Sequence, residues 1–156
     1  MNKVTDSHVS WSNTYSTGVP RIDDQHKELL RFVNDLLSLT GTDEAGERIY
    51  FRQIIRQFVH YIKTHFAAEE KLMIASGFPG YIMHKKAHEE FILTIGESVK
   101  EFESGKGFIM EEFTYSLKDW ALSHIAVMDR NYSTYFQAIA ILNATEKTSS
   151  EDMARA

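Results

Sequence analysis

Residues 61–73, YIKTHFAAEEKLM, have the spacing of an amphipathic helix, with Ile62, Phe66, Leu72 and Met73 directed at a core. His65 and Glu69 fall on the same apolar stripe. Side chains four apart on a helix lie only about 40° apart and stack one above the other. An imidazole and a carboxylate are therefore aimed together into a hydrophobic face. Glu70, about 100° further round, is expected to be an ordinary surface or rim charge.

The same pattern extends in both directions along the chain. A first helix is predicted from just after Pro20, with Ile22, Leu29, Leu30, Val33, Leu36 and Leu37 on its apolar face. TGTDEAGE, residues 40–47, reads as a loop. The second helix is predicted from about Glu47 to Ala75 and ends at SGFPG. A third runs from about Tyr81 to Glu103 and a fourth from about Ile109 to Met128, separated by SGKG. YSTYFQAIAIL then supplies a shorter helix. The predicted architecture is all-α: an up-down-up-down antiparallel four-helix bundle over residues 21–142, with an extended N-terminal arm (1–20), a short C-terminal helix and a polar tail (143–156).

Five of the seven histidines share the apolar stripes: His26, His65, His84, His88 and His124. His60, two residues from both Phe58 and Ile62, is on the opposite face, and His8 is in the arm. Two acids join the inward set. Glu69 is four residues after His65, and His84 and His88 form a second pair one turn apart. Asp129 is five after His124, about 140° round a regular helix, so it can join only if the helix ends or distorts there. Inward Lys or Arg is absent. Buried carboxylates without a counter-charge cost several kcal/mol each, and a bound cation removes that cost.

Composition narrows the chemistry. With 43% hydrophobic and 25% charged residues the chain is globular, and a net charge of −5 argues against nucleic acid as the main partner. The absence of cysteine excludes thiolate metal sites and iron–sulfur clusters. No membrane span and no apolar leader segment are visible, so a cytoplasmic protein is expected. HEEFI at 88–92 lacks the second histidine of the zinc-protease motif. Nitrogen and oxygen ligands without sulfur suit iron, manganese or copper. Five imidazoles, two bridging carboxylates and one bridging oxide or hydroxide leave one position open on a pair of six-coordinate ions. Such a site takes one small ligand. Phe66, Trp120 and Ile125 would make its surroundings apolar; Tyr132 reads as a core aromatic.

The segments W…GVPRIDDQHKEL, HFAAEEKLM, HKKAHEEF and WALSHIAVMDRNY, spanning Trp11 to Tyr132, closely resemble the hemerythrins, especially the bacterial ones. The resemblance implies two iron ions, bridged by an oxo or hydroxo group and by Glu69 and Asp129. His84, His88 and His124 would hold one iron. His26 and His65 would hold the other, which keeps the open position for dioxygen. It implies reversible oxygen binding for carriage, storage or delivery, and not an enzyme. The alternatives are an oxygen or redox sensing module, or a di-iron enzyme acting on peroxide or nitric oxide. The protein partner is left open. Where the family commonly has Leu, this chain has Ala121. The expected consequence is a larger pocket, lined by Phe66, Trp120, Ala121 and Ile125, with easier entry of anions such as azide and faster autoxidation.

Overall fold

The computed structural model describes residues 8–39 and 44–155. The start of the predicted arm (1–7), residues 40–43 of the predicted first loop and Ala156 lie outside the described residues. The helices are α1 (Pro20–Leu39), α2 (Glu44–Ser76), α3 (Tyr81–Ser104), α4 (Met110–Ser123) and α5 (Arg130–Ala154). A six-residue π-helical segment, His124–Asp129, joins α4 to α5 as one continuous rod. No strand occurs among the described residues. The architecture is the four-helix bundle expected from the stripes: α1 packs on α2 and on α4, and α2 packs on α3.

Local chemistry sets the helix ends. α1 opens with proline, whose missing N–H would have had no helical partner. Asp23 reaches back to accept from the Thr17 N–H (2.7 Å) and the Ser16 hydroxyl (2.6 Å). α2 stops at Gly77, whose φ of +68° favours glycine. There the Phe78 N–H donates to the Met73 carbonyl and the Gly77 N–H to that of Ile74, while Phe78 packs on the cluster containing Met73. The arm is pinned rather than loose along its described part. Asn34 on α1 both accepts from the Val9 N–H (2.8 Å) and donates to the Val9 carbonyl (2.9 Å). Ser133 donates to the Thr17 carbonyl at 2.6 Å.

Two apolar cores result. The larger contains Leu36, Phe51, Ile55, Phe58, Phe91, Phe102 and Leu117. The smaller contains Ile22, Met73 and Tyr132. Along every helix the inward histidines and acids lie between these two cores: His26 between Ile22 and Leu29, for example, and Glu69 between Phe66 and Met73. The polar layer is thus sealed by hydrocarbon at both ends.

Two extents differ from expectation. α2 begins at Glu44, one turn before Glu47. The stretch expected as a short helix and polar tail is a single helix of 25 residues. Its distal part has no Gly or Pro, so the backbone can continue helically without packing. Residues 140–151 are exposed on every side.

Candidate metal centre

All seven inward groups converge. His26 comes from α1, His65 and Glu69 from α2, His84 and His88 from α3, and His124 and Asp129 from the π segment; none is more than 5% exposed. The π segment meets the condition that the spacing imposed. Its i→i+5 hydrogen bonding adds a residue to the turn, so positions five apart fall nearly on one face. The His124 Nε2 thereby lies 3.1 Å from Asp129 Oδ1.

The two carboxylates each face both sets of histidines. Glu69 Oε1 is 3.3 Å from His26 Nε2 and 3.4 Å from His65 Nε2, while its Oε2 is 3.2 Å from His88 Nε2 and 3.8 Å from His84 Nε2. Asp129 Oδ2 is 3.0 Å from His26 Nε2, and its Oδ1 is 3.2 Å from His84 Nε2. The His88 and His124 Nε2 atoms approach to 3.1 Å. Metal–ligand bonds of about 2.1 Å place neighbouring ligand atoms on an octahedron ~3.0 Å apart. Most of the separations here are of that size.

Hydrogen bonding does not account for the convergence. Glu69 Oε2, both Asp129 oxygens and both His84 nitrogens are buried without a hydrogen-bond partner of good geometry. Buried carboxylate oxygens left in that state are costly. Short approaches without hydrogen-bond alignment fit ligand atoms aimed at a common centre. Two groups of four could each hold a metal ion: Glu69, His84, His88 and His124, and His26, His65, Glu69 and Asp129.

Three partners behind this layer were not legible as functional residues. The Tyr132 hydroxyl donates to Glu69 Oε1 at 2.7 Å. His65 Nδ1 lies 2.9 Å from Gln25 Oε1, and His88 Nδ1 lies 3.1 Å from Glu70 Oε1. Glu70 is thus not the ordinary rim charge expected: its side chain is 22% exposed, yet its long stem reaches back to a buried ring. Only Tyr132 left a signal in the sequence, being three residues after Asp129 and so on the same face.

Phe66, Trp120, Ala121 and Ile125 line one cavity, together with Leu29, Phe58, Ile62, His65 and His124. Phe66 stacks on His88 (3.6 Å between centroids) and Trp120 on His124 (4.5 Å). The cavity is smaller than expected. It amounts to about 10 Å³, room for one water-sized molecule. Trp120 lies flat between Phe91 and His124, and side chains of α1 and α2 line the rest of the space.

The electrostatics follow from burial against pairing. Burial alone would lower the His26 and His84 imidazoles. Asp129 and Glu69 outweigh it and raise both to about 9. Burial dominates at His65 and pushes it down to about 4. Burial opposes ionisation of Glu69, but the adjacent imidazoles, His65 first and then His26, His84 and His88, hold it well below the usual carboxylate range. Burial, followed by the charges of Glu69 and Asp129, pushes the Tyr132 phenol far above its ordinary value, so it remains a donor. In the metal-free chain His26 and His84 therefore carry protons at neutral pH. Because both values are raised above 6.5, this stabilisation is complete below about pH 6.5 and is lost as pH rises through about 9. Coordination through Nε2 requires neutral rings. Metal loading at pH 7.5 is expected to release about two protons per chain, measurable with a pH indicator in weak buffer, and loading is expected to weaken as pH falls.

A four-helix bundle whose inner layer offers five imidazoles and two shared carboxylates belongs to the class of non-haem metal proteins. The chain matches the hemerythrin HHE cation binding domain over residues 17–136 and belongs to the hemerythrin family. The bacteriohemerythrin of Pseudomonas aeruginosa strain UCBPP-PA14 is 32% identical over 126 residues, covering 81% of this chain and 80% of the relative. The bacteriohemerythrin of Methylococcus capsulatus is 27% identical and covers 83% of this chain and 98% of that one. A wild-type hemerythrin crystal structure superposes with a TM-score of 0.74 at 26% identity, covering 81% of this chain and 95% of that chain. The hemerythrins that it resembles are oxygen-binding proteins rather than enzymes. Among the described residues no helix is long and apolar enough to cross a membrane.

Proposed function

We propose that this chain is a non-haem di-iron protein that binds dioxygen reversibly, in carriage, storage or delivery. The observation that carries the reading is the double-facing arrangement of Glu69 and Asp129. Each carboxylate presents one oxygen to the His26 side and the other to the His84 side. That is the requirement for bridging two ions. His84, His88 and His124 would hold one iron, and His26 and His65 the other. Bound iron would supply the electrons and the open coordination position, which no side chain here provides.

The chain's own groups do the rest. The stacked Phe66 and Trp120 hold the His88 and His124 rings in place. Phe58, Ile62, Ile125 and Leu29 keep the small cavity apolar, which disfavours water and charged species beside the metals. Tyr132 keeps its proton and fixes one oxygen of Glu69. A site so poor in free acids and bases suits holding a diatomic ligand better than transforming an organic one.

Iron-loaded protein is expected to contain two irons per chain by metal analysis; a plateau at one or none contradicts the reading. The cavity gives a second expectation. Ala121→Leu adds three carbons to a space of about 10 Å³. It is expected to destabilise the fold by about 1–3 kcal/mol through overpacking and to slow autoxidation by excluding water. An unchanged autoxidation rate would show that Ala121 does not control access.

A further inference from the structure

Two of the buried rings lean on partners outside the cluster, and those partners differ in charge. His88 Nδ1 faces the Glu70 carboxylate at 3.1 Å, whereas His65 Nδ1 faces the neutral amide of Gln25 at 2.9 Å. Both rings turn Nε2 towards Glu69, to Oε2 at 3.2 Å for His88 and to Oε1 at 3.4 Å for His65. With a metal on Nε2, the ring hydrogen sits on Nδ1, which then donates outward in each case. A carboxylate acceptor draws that proton more strongly than an amide does and makes the opposite nitrogen a better electron donor.

Glu69 repeats the imbalance. Tyr132 donates to Oε1 at 2.7 Å, the oxygen on the His26 and His65 side. Oε2, on the His84 and His88 side, receives no hydrogen bond. Electron density is withdrawn from one half of the carboxylate only. Glu70 and Tyr132 thus act in the same direction from opposite ends of the site.

We propose that Glu70, as the positioning residue behind His88, widens the difference between the three-histidine and two-histidine positions of this chain by strengthening His88 as a ligand. The His84, His88 and His124 position holds its metal more tightly and favours the higher oxidation state. The His26 and His65 position gives up its metal first. The inference rests on the two-metal reading above. Glu70 is well placed for such a role because it lines an open groove between α2 and α3 beside Lys63, Ala67 and Glu89, so its charge can be changed without opening the core.

The test loads the full chain anaerobically with ferrous iron, adds an excess of a coloured ferrous chelator, and follows iron release. The native chain is expected to lose its two irons in two phases of equal size. Glu70→Gln, nearly the same size and confirmed as folded by circular dichroism, is expected to accelerate the slow phase about 10–100-fold and to leave the fast phase in place. The same variant should raise the midpoint potential of the iron that is oxidised first. Gln25→Glu should slow the fast phase. Two irons leaving the native chain in a single phase would overturn the proposal. So would a Glu70→Gln chain that keeps two irons with the slow phase and potential unchanged. Failure of the native chain to hold two irons would instead overturn the two-metal reading.

Discussion

Replacing Glu69 with alanine is expected to abolish the paired metal site, reducing iron from two per chain to at most one. Glu69 is the single group common to both potential four-ligand sets, and its two oxygens lie within 3.2–3.8 Å of four different imidazoles. Removing it strips one ligand from each position at once. It also leaves His26 and His84 without one of the two acids that hold their protons. In the metal-free chain that change should cost about 3–5 kcal/mol, the usual consequence of breaking a buried ionic cluster on one side. Metal analysis and thermal unfolding measure the two effects separately. Glu69→Ala protein that still holds two irons would contradict the assignment of Glu69 as a bridge. Substituting His60, outside the stripe, is the matching control and should leave iron content unchanged.

Removing the metal from the native chain should have the next largest effect. The bundle buries five imidazoles and two carboxylates between its apolar cores, several of their atoms without hydrogen bonds. A cation that binds only the folded chain stabilises it by about 4 kcal/mol when present at 1,000 times its dissociation constant. For a chain of this length each kcal/mol shifts Tm by roughly 2–4 °C. Chelation is therefore expected to lower Tm by about 10 °C or more, and restoring ferrous iron should reverse the change. Identical Tm values with and without iron would mean that the cluster is satisfied by other means.

The stripes made the bundle and its inward layer legible because burial leaves a period of 3.6 residues in the sequence. They placed His26, His65, Glu69, His84 and His88 from spacing alone. Asp129 tested the limit of that reasoning: five residues from His124, it could join only through a distortion, and the π-helical turn supplies one. Contacts across the bundle left weaker traces. Gln25 and Glu70 sit next to inward residues in sequence and about 100° away on their helices, so nothing in their own periodicity marks them. They become visible only when α1 meets α2, and α2 meets α3. The small size of the cavity at Ala121 is of the same kind, bounded by how Trp120 lies against Phe91 and His124. The length of α5 escaped for a different reason. A helix exposed on all sides has no stripe, and only its lack of breakers permits it.

The central claim is that two irons in this bundle take up and release dioxygen. The most direct measurement is the visible spectrum of the iron-loaded chain, reduced anaerobically, exposed to oxygen and then returned to an oxygen-free atmosphere. Reversible oxygen binding predicts a visible band that appears with oxygen and disappears when oxygen is removed, through repeated cycles. A chain that passes at once to an oxidised form unable to release oxygen, or one that shows no iron-dependent colour, would contradict it.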